Sequence, residues 1–198
     1  MKDDFKWLGK WENEFKGKDG KAVLELGCGS GIDSEIISNW SKNLISTDKK
    51  SDVIEKNRKD LSDIDFRVLD HSEKLPFKDN SFTSVVASLS LHYFKRSKTV
   101  EIFNEIFRVL KPNGLFIGRL NSTRDIHHGS EGNILIEERV LNVSGNPKRF
   151  FIREDVEELL HSDWKLISLQ EVTIDRYGSL KVVWEFSARR NKKNRILK

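Results

Sequence analysis

The chain reads as an α/β fold, a mainly parallel sheet with helices on both faces, and three observations carry that reading. Short apolar runs alternate with segments of helical periodicity, the order that builds parallel strands joined by crossover helices. Three glycines at alternate positions, Gly27, Gly29 and Gly31, follow the apolar run Val23 to Leu26, where a buried strand would turn into a helix. The segment from Lys98 to Leu110 carries Ile102, Phe103, Ile106, Phe107 and Leu110 on one helical face, and Lys111-Pro112-Asn113-Gly114 then stops it.

The elements follow in order. An N-terminal segment, residues 1–20, has Leu8, Trp11 and Phe15 at helical spacing and a polar break at Lys16 to Gly20. The first strand, Ala22 to Leu26, leads through the glycine loop into a helix over about Ile32 to Trp40. A short second strand, Asn43 to Asp48, precedes a helix over about Asp52 to Leu61. The third strand is Phe66 to Leu69 and the fourth Ser84 to Ser88, followed by the Lys98 to Leu110 helix and a fifth strand, Leu115 to Leu120. Residues 121–149 read as an insertion. A helix from Arg153 to Leu160, the strands Trp164 to Val172 and Leu180 to Ala188, and a basic tail over 189–198 complete the chain.

The glycine loop presents bare backbone to a ligand. In the dinucleotide fingerprint G-x-G-x-x-G the third glycine falls five residues after the first; here Gly31 falls four after Gly27 and position 32 is Ile. Glu25, just ahead of the loop, would repel an anionic pyrophosphate and attract a cationic ligand. Both features speak against a nicotinamide oxidoreductase.

Glu25-x-Gly27-x-Gly29-x-Gly31 resembles motif I of the class I S-adenosylmethionine (SAM) dependent methyltransferases, and the resemblance runs over about residues 20 to 120. It implies a Rossmann-like seven-stranded sheet of order 3-2-1-4-5-7-6 with the seventh strand antiparallel, and SAM as cofactor. The cofactor-binding residues it implies are Glu25, Gly27, Cys28, Gly29 and Gly31 in the loop, then Asp48 and Lys49 at the end of strand two. Asp48 would accept from both ribose hydroxyls. Asp70 and His71 after strand three would lie near the adenine, and Ser88 and Leu89 open the stretch Leu89-Ser90-Leu91-His92-Tyr93-Phe94 after strand four. Singly, Asp48 and Asp70 are equally at home as turn residues. Three strands ending in the right residue type, in the right order, favour the ligand.

Composition bounds the rest. The length of 198 residues and a 37% hydrophobic content suit one domain with a sizeable core, and no apolar run is long enough to span a membrane. The start Met1-Lys2-Asp3-Asp4 lacks the apolar stretch of a signal peptide, so the expectation is a cytoplasmic protein without membrane partners. Cys28 is the only cysteine, which excludes a disulfide within the chain, and between two glycines it reads as a small residue tolerated in a tight loop. The net charge of +4 is modest, and the basic tail has no aromatic residues interleaved with its charges, so nucleic acid is not the expected partner. No His, Cys and carboxylate cluster has metal-ligand spacing; His127 and His128 are adjacent and point apart.

Methyl transfer is an in-line displacement, so positioning supplies most of the catalysis, and a general base is needed only where the nucleophile arrives protonated. The candidates at the exit of strand four are His92 and Tyr93, with packing over the cofactor the competing role for His92. Arg119 and Asn121, leaving strand five on the cleft side, are candidate substrate-binding residues, although Asx-type loop bonding explains them equally. Arg176 is the third, and Arg119, Arg176 and Lys181 would place positive charge at the cleft mouth if the last strands fold back beside strand five. The C-terminal third, from Phe150-Phe151-Ile152 to Lys181-Val182-Val183-Trp184, is loosely similar to the ending of small bacterial methyltransferases related to the tellurite-resistance enzymes.

The expected activity is therefore methyl transfer to a small acceptor, soft or anionic. The rivals are an RNA or protein methyltransferase and a non-catalytic SAM-binding protein. The oligomeric state is not encoded in any feature of the chain. Trp7, Trp11 and Phe15 suggest a lid over the cleft, hinged at Gly17 to Gly20, against plain packing on the fold.

Overall fold

The computed structural model describes residues 7–16, 21–175 and 179–191. In chain order the strands are β1 (Val23–Leu26), β2 (Leu44–Asp48), β3 (Asp65–Val68), β4 (Phe82–Ser88), β5 (Leu110–Asn121), β6 (Ile134–Glu137), β7 (Val140–Val143), β8 (Asn146–Arg149), β9 (Trp164–Ile174) and β10 (Lys181–Arg190). The helices are α1 (Glu12–Phe15), α2 (Ile32–Ser38), α3 (Ser51–Asp60), α4 (Arg96–Val109) and α5 (Arg153–Leu159).

Seven strands form one sheet in the order β3-β2-β1-β4-β5-β10-β9. β1 to β5 pair in parallel, and β10 runs antiparallel to both β5 and β9. With the three strands of the insertion left out of the numbering, this is the expected 3-2-1-4-5-7-6 with a reversed seventh strand. The central strands β1 and β4 are buried on both faces, as crossover helices require, and read as the apolar runs Val23-Leu24-Glu25-Leu26 and Val85-Val86-Ala87.

Alternation along each strand divides the core. Leu24, Leu26, Val85, Phe116 and Phe186 face α4 and α5, where Ile102, Phe103, Ile106 and Val156 complete a cluster rich in edge-to-face aromatic contacts. Val23, Val86, Leu115 and Ile117 face α2, α3 and the N-terminal segment, and there meet Ile37, Ile54, Trp7, Leu8 and Phe15. The amphipathic stripe on α4 is thus a core stripe, worth about 1.5–3 kcal/mol for each large side chain it buries.

Three expectations change. The N-terminal stretch is a 3-10 turn, Gly9–Trp11, running into the single turn of α1, and not one continuous helix. The turn expected at Lys111 to Gly114 is absorbed into β5, which starts at Leu110 against Phe82 and shifts register before Ser84 meets Leu115; Asn113 takes the left-handed φ of 65° that this bulge needs. The insertion is ordered into a second, three-stranded antiparallel sheet, β6-β7-β8. Its signal was Ser144-Gly145: both residues have positive φ, 52° and 83°, the backbone of a tight two-residue hairpin turn.

Candidate active site

The loop after β1 is shaped by its glycines. Gly27 has φ 75°, and a Cβ there would stand 2.3 Å from Cβ of Ser90, so the loops after β1 and β4 can approach only because the side chain is missing. Gly29 also has a positive φ, 52°, but a Cβ there would meet nothing within 4 Å: this turn of the loop faces open space. Gly31 caps α2 in the left-handed conformation.

Carboxylates and amides around the loop hold it in place. Asp48 Oδ2 accepts from the Gly29 amide at 3.1 Å and Oδ1 from the Lys50 amide at 3.0 Å, which fixes the carboxylate at the end of β2 and leaves each oxygen a further lone pair. Asn57 on α3 donates to the Gly29 carbonyl at 2.8 Å, a support with no sequence signal. Glu25 is buried between the sheet and α2, where its Oε2 accepts from Ser34 at 2.5 Å and Ser46 at 2.8 Å. It braces the loop from beneath. Burial, then the charges of Glu25 and Asp48, push the Cys28 thiol up to about 12, in keeping with an inert small residue.

Lys49 is exposed beside Asp48. Asp70 is exposed at the end of β3; partial burial works against its charge, but the hydrogen bonds from Ser72 prevail and hold its pKa below the ordinary aspartate value. His71 is buried, with Nε2 3.2 Å from the Ser90 carbonyl and its ring edge-on to Phe94; burial keeps its pKa below the usual histidine value. Glycine loop, Asp48, Asp70 and His71 therefore line the carboxyl ends of β1 to β3, as a nucleoside site at a strand-order reversal requires.

β4 ends at the half-buried Ser88, and the chain leaves it at Leu89 with φ 56°, a left-handed conformation costing a non-glycine residue about 1–2 kcal/mol. The Leu89 amide donates to the Arg119 carbonyl at 3.0 Å, and Ser90 Oγ to the Leu26 carbonyl at 2.6 Å, so the strained turn is tied to both neighbouring strands. Leu91 then enters the core and His92 goes beneath the insertion, where its carbonyl accepts from the Arg149 amide at 2.7 Å. Burial, followed by the positive charges of Lys181 and Lys148, puts the His92 pKa well below 6.5, so the ring is neutral at neutral pH. Tyr93, its ring centroid 4.2 Å from that of His92, is 46% exposed, which places it at the molecular surface.

The substrate-side candidates part company. Arg119 is a correction: it is almost fully buried, paired with Glu185 of β10 at 3.0 Å, and its guanidinium lies 4.2 Å over the ring of Trp7. It anchors the N-terminal segment, because β5 and β10 point these two residues to the face that segment covers. Asn121, two residues on, is fully buried, and neither Oδ1 nor Nδ2 has a hydrogen-bond partner among the described residues. Arg176 lies outside the described residues. Lys181, Lys148, Asp125 and His92 form one polar cluster, and Asn121 shares a sheet face with Lys181; of these Lys148 carried no sequence signal, since it comes from the insertion, whose fold was not legible.

The loop, the carboxylate at Asp48 and the open face at Gly29 fit SAM, and comparison with known proteins agrees. Residues 24–118, about half the chain, match the family described as "Methyltransferase domain". The human protein named arginine-hydroxylase NDUFAF5, mitochondrial, is 36% identical over 101 residues, 50% of this chain and 28% of that protein. An uncharacterized methyltransferase of Schizosaccharomyces pombe is 34% identical over 107 residues, 53% of this chain and 41% of that one. The chain thus spans less than half the length of these curated relatives. Among solved structures, a SAM-dependent methyltransferase from Methanosarcina mazei superposes with a TM-score of 0.73 at 19% identity, over 89% of this chain and 95% of that one, which shows the shared fold. The family match ends at residue 118, so it does not carry the looser likeness of the C-terminal third to tellurite-resistance enzymes. The chain carries a class I, S-adenosylmethionine-dependent methyltransferase domain.

Proposed function

We propose that the chain methylates a small-molecule acceptor, a soft or anionic nucleophile, in the cleft at the carboxyl ends of β4 and β5. The observation that carries this reading is a buried polar cluster under the three-stranded insertion: Lys148 and Lys181 are both tied to the turn Asp125–His128, and the His92 carbonyl is bonded to the amide of Arg149, the neighbour of Lys148. Bound SAM supplies an electrophilic sulfonium methyl, to which the acceptor's lone pair bonds as the carbon–sulfur bond breaks with its electrons left on sulfur. The chain's part is positioning. Asp48, the glycine loop and Asn57 hold the nucleoside side; the strained turn at Leu89 fixes where His92 stands; the insertion limits access of water and of large acceptors. Neutral His92 offers a hydrogen bond to orient the nucleophile, and its lowered pKa makes it a weak base, which suits an acceptor that arrives without a proton to lose. A cytoplasmic location accompanies the proposal; among the described residues no helix is long and apolar enough to cross a membrane.

Homocysteine release measured against thiols, chalcogen oxyanions, amines, carboxylates, phenols and bulk RNA tests both the reaction and the acceptor class. Turnover on a small anion or thiol supports the proposal, while methylation of RNA alone overturns the acceptor. Because one relative is named for arginine hydroxylation, product masses are read as well: a gain of oxygen without methyl replaces the reaction itself.

A further inference from the structure

Building on the methyltransferase reading, we propose that Lys148, Lys181 and Asn121 bind the carboxylate of a small organic acid, and that this group is the handle holding the acceptor beside His92. The site is assembled from separate stretches of chain. Lys148, on β8, donates from Nζ to the His128 carbonyl at 2.6 Å, and Lys181, opening β10, places Nζ 2.6 Å from Asp125 Oδ2. Asp125 Oδ1 lies 2.8 Å from His128 Nδ1 and accepts from the Val182 amide at 3.1 Å. Both ammonium groups are thus tied to the one turn Asp125–His128. Asn121 stands opposite Val183 across the β5–β10 pair, and Lys181 is two residues along the same strand, hence on the same face of the sheet. His92 reaches the cluster through the amide of Arg149, the neighbour of Lys148.

Two imbalances point to a ligand. Two ammonium groups face the single carboxylate of Asp125, and Lys148 has no carboxylate partner among the described residues; burial, then Lys181, bring its pKa down to about 8. The hydrogen bonding is also incomplete, since among the described residues the fully buried Asn121 amide is unbonded at both ends and the buried His92 is unbonded at Nδ1. Each buried polar group left unsatisfied is costly, and folds rarely keep several together without a partner. A carboxylate supplies what is missing: one negative charge for the one excess positive charge, and oxygens to accept from Lys148 and from Asn121 Nδ2. A phosphate dianion brings one charge too many, and the nearby Arg149 already faces Glu137 and Asp155 at 3.6 Å. A carboxylate paired in this way is a weakened nucleophile, which makes it the handle and leaves a second group of the acceptor to meet the methyl.

The test is calorimetric titration of the full chain with benzoate, benzamide and inorganic phosphate, with and without saturating S-adenosylhomocysteine. Benzoate should bind and benzamide should not. Lys148→Met, at a half-buried position, should weaken benzoate by at least about tenfold, the usual loss for a charged hydrogen bond, while S-adenosylhomocysteine affinity stays within about twofold. Site-resolved acylation of Lys148 against pH gives a second reading: benzoate should move its midpoint upward from about 8. Equal binding of benzoate and benzamide, a wild-type benzoate affinity in Lys148→Met, an unmoved Lys148 midpoint, or a preference for phosphate would each overturn the handle. Benzoate binding in a chain that does not bind S-adenosylhomocysteine would instead overturn the methyltransferase reading, so the two failures are distinguishable.

Discussion

On one side of the cleft Asp48 has both carboxylate oxygens engaged by backbone amides, and Asn57 closes the loop that Asp48 opens; on the other, among the described residues, Asn121 has neither end of its amide engaged and Lys148 has no carboxylate partner. The first side is built mostly from backbone and holds its shape without a ligand. The second is built from side chains on distant segments and remains incomplete without one. A cofactor common to a large family rewards a rigid cradle, whereas the acceptor is where one member differs from another, and its pocket draws on residues outside the matched span 24–118.

The largest effect should come from breaking the rigid side. Gly27→Val combines a left-handed φ of 75° with a Cβ contact of 2.3 Å to Ser90, both in parts that cannot move independently. Strain of about 1–2 kcal/mol and overpacking of about 1–3 kcal/mol add up to a large share of an ordinary domain's stability. Denaturant unfolding should show that loss, or no folded protein; a wild-type midpoint would mean that the two loops are not in register as described. Asp48→Ala comes next. It removes the group that fixes the Gly29 amide and, in the proposed complex, the acceptor of the ribose hydroxyls, so S-adenosylhomocysteine affinity should fall by at least about tenfold. An unchanged affinity in a folded variant would refute the ribose assignment.

The same contrast explains what could be read in advance. The sheet order comes with the family resemblance, and the β1–β3 end of the site follows from the local signals that carry that resemblance: an apolar run, a glycine spacing, an acid closing a strand. Each occupies a few consecutive residues, and the backbone conformation that needs them is local too. His92, Lys148 and Lys181 come together only once the insertion folds over β4 beside the reversed β10, and nothing in a short window encodes how the insertion folds. Arg119 shows the converse error. A cation leaving a strand at the cleft side reads as a substrate contact, but the strand's alternation aims it at Glu185 and Trp7. The hairpin signal Ser144-Gly145 was present, and would have given the insertion two of its strands.

On the incomplete side the effects should be smaller and partly of opposite sign. For an acceptor that needs no base, His92→Gln should keep turnover within several-fold, whereas a protonated hydroxyl or amine acceptor would lose much more. Stability carries an independent signature. His92 and His71 have folded-state pKa values below the ordinary one, chiefly through burial, with Lys181 and Lys148 adding to the effect at His92. The unfolded chain therefore binds more protons below about pH 6.5, and the stability present above that pH declines as the solution is acidified, by up to about 1.4 kcal/mol per pH unit for each group. Thermal scans between pH 7 and 5 should show a shallower decline in His92→Gln. In the same scans, near neutral pH, Lys148→Met should leave the unfolding midpoint unchanged or raised, since it removes a half-buried charge that lacks a carboxylate partner. A marked fall would make Lys148 a structural residue.

The smallest effect belongs to the segment that touches both sides. Trp7 donates from Nε1 to Asp33 at the start of α2, 3.1 Å away, lies under the Arg119 guanidinium and is only 6% exposed. Lys10 and Glu14 pair with Glu185 and Arg189 of β10, both at 2.5 Å. So close a packing favours a static role, yet α1 is a single turn and these outer ion pairs are part-exposed, each contributing at most about 1 kcal/mol. A lid needs no more than that: opening costs little, and a ligand that favours the closed form shifts the balance. Hydrogen exchange over residues 7–16 should therefore slow when S-adenosylhomocysteine is added, with a change in tryptophan emission, and Trp7→Phe, which keeps the packing but loses the bond to Asp33, should reduce that extra protection by a few-fold. Equal protection with and without ligand would assign the segment to the core alone, and would show that the rigid side of the cleft extends as far as Arg119.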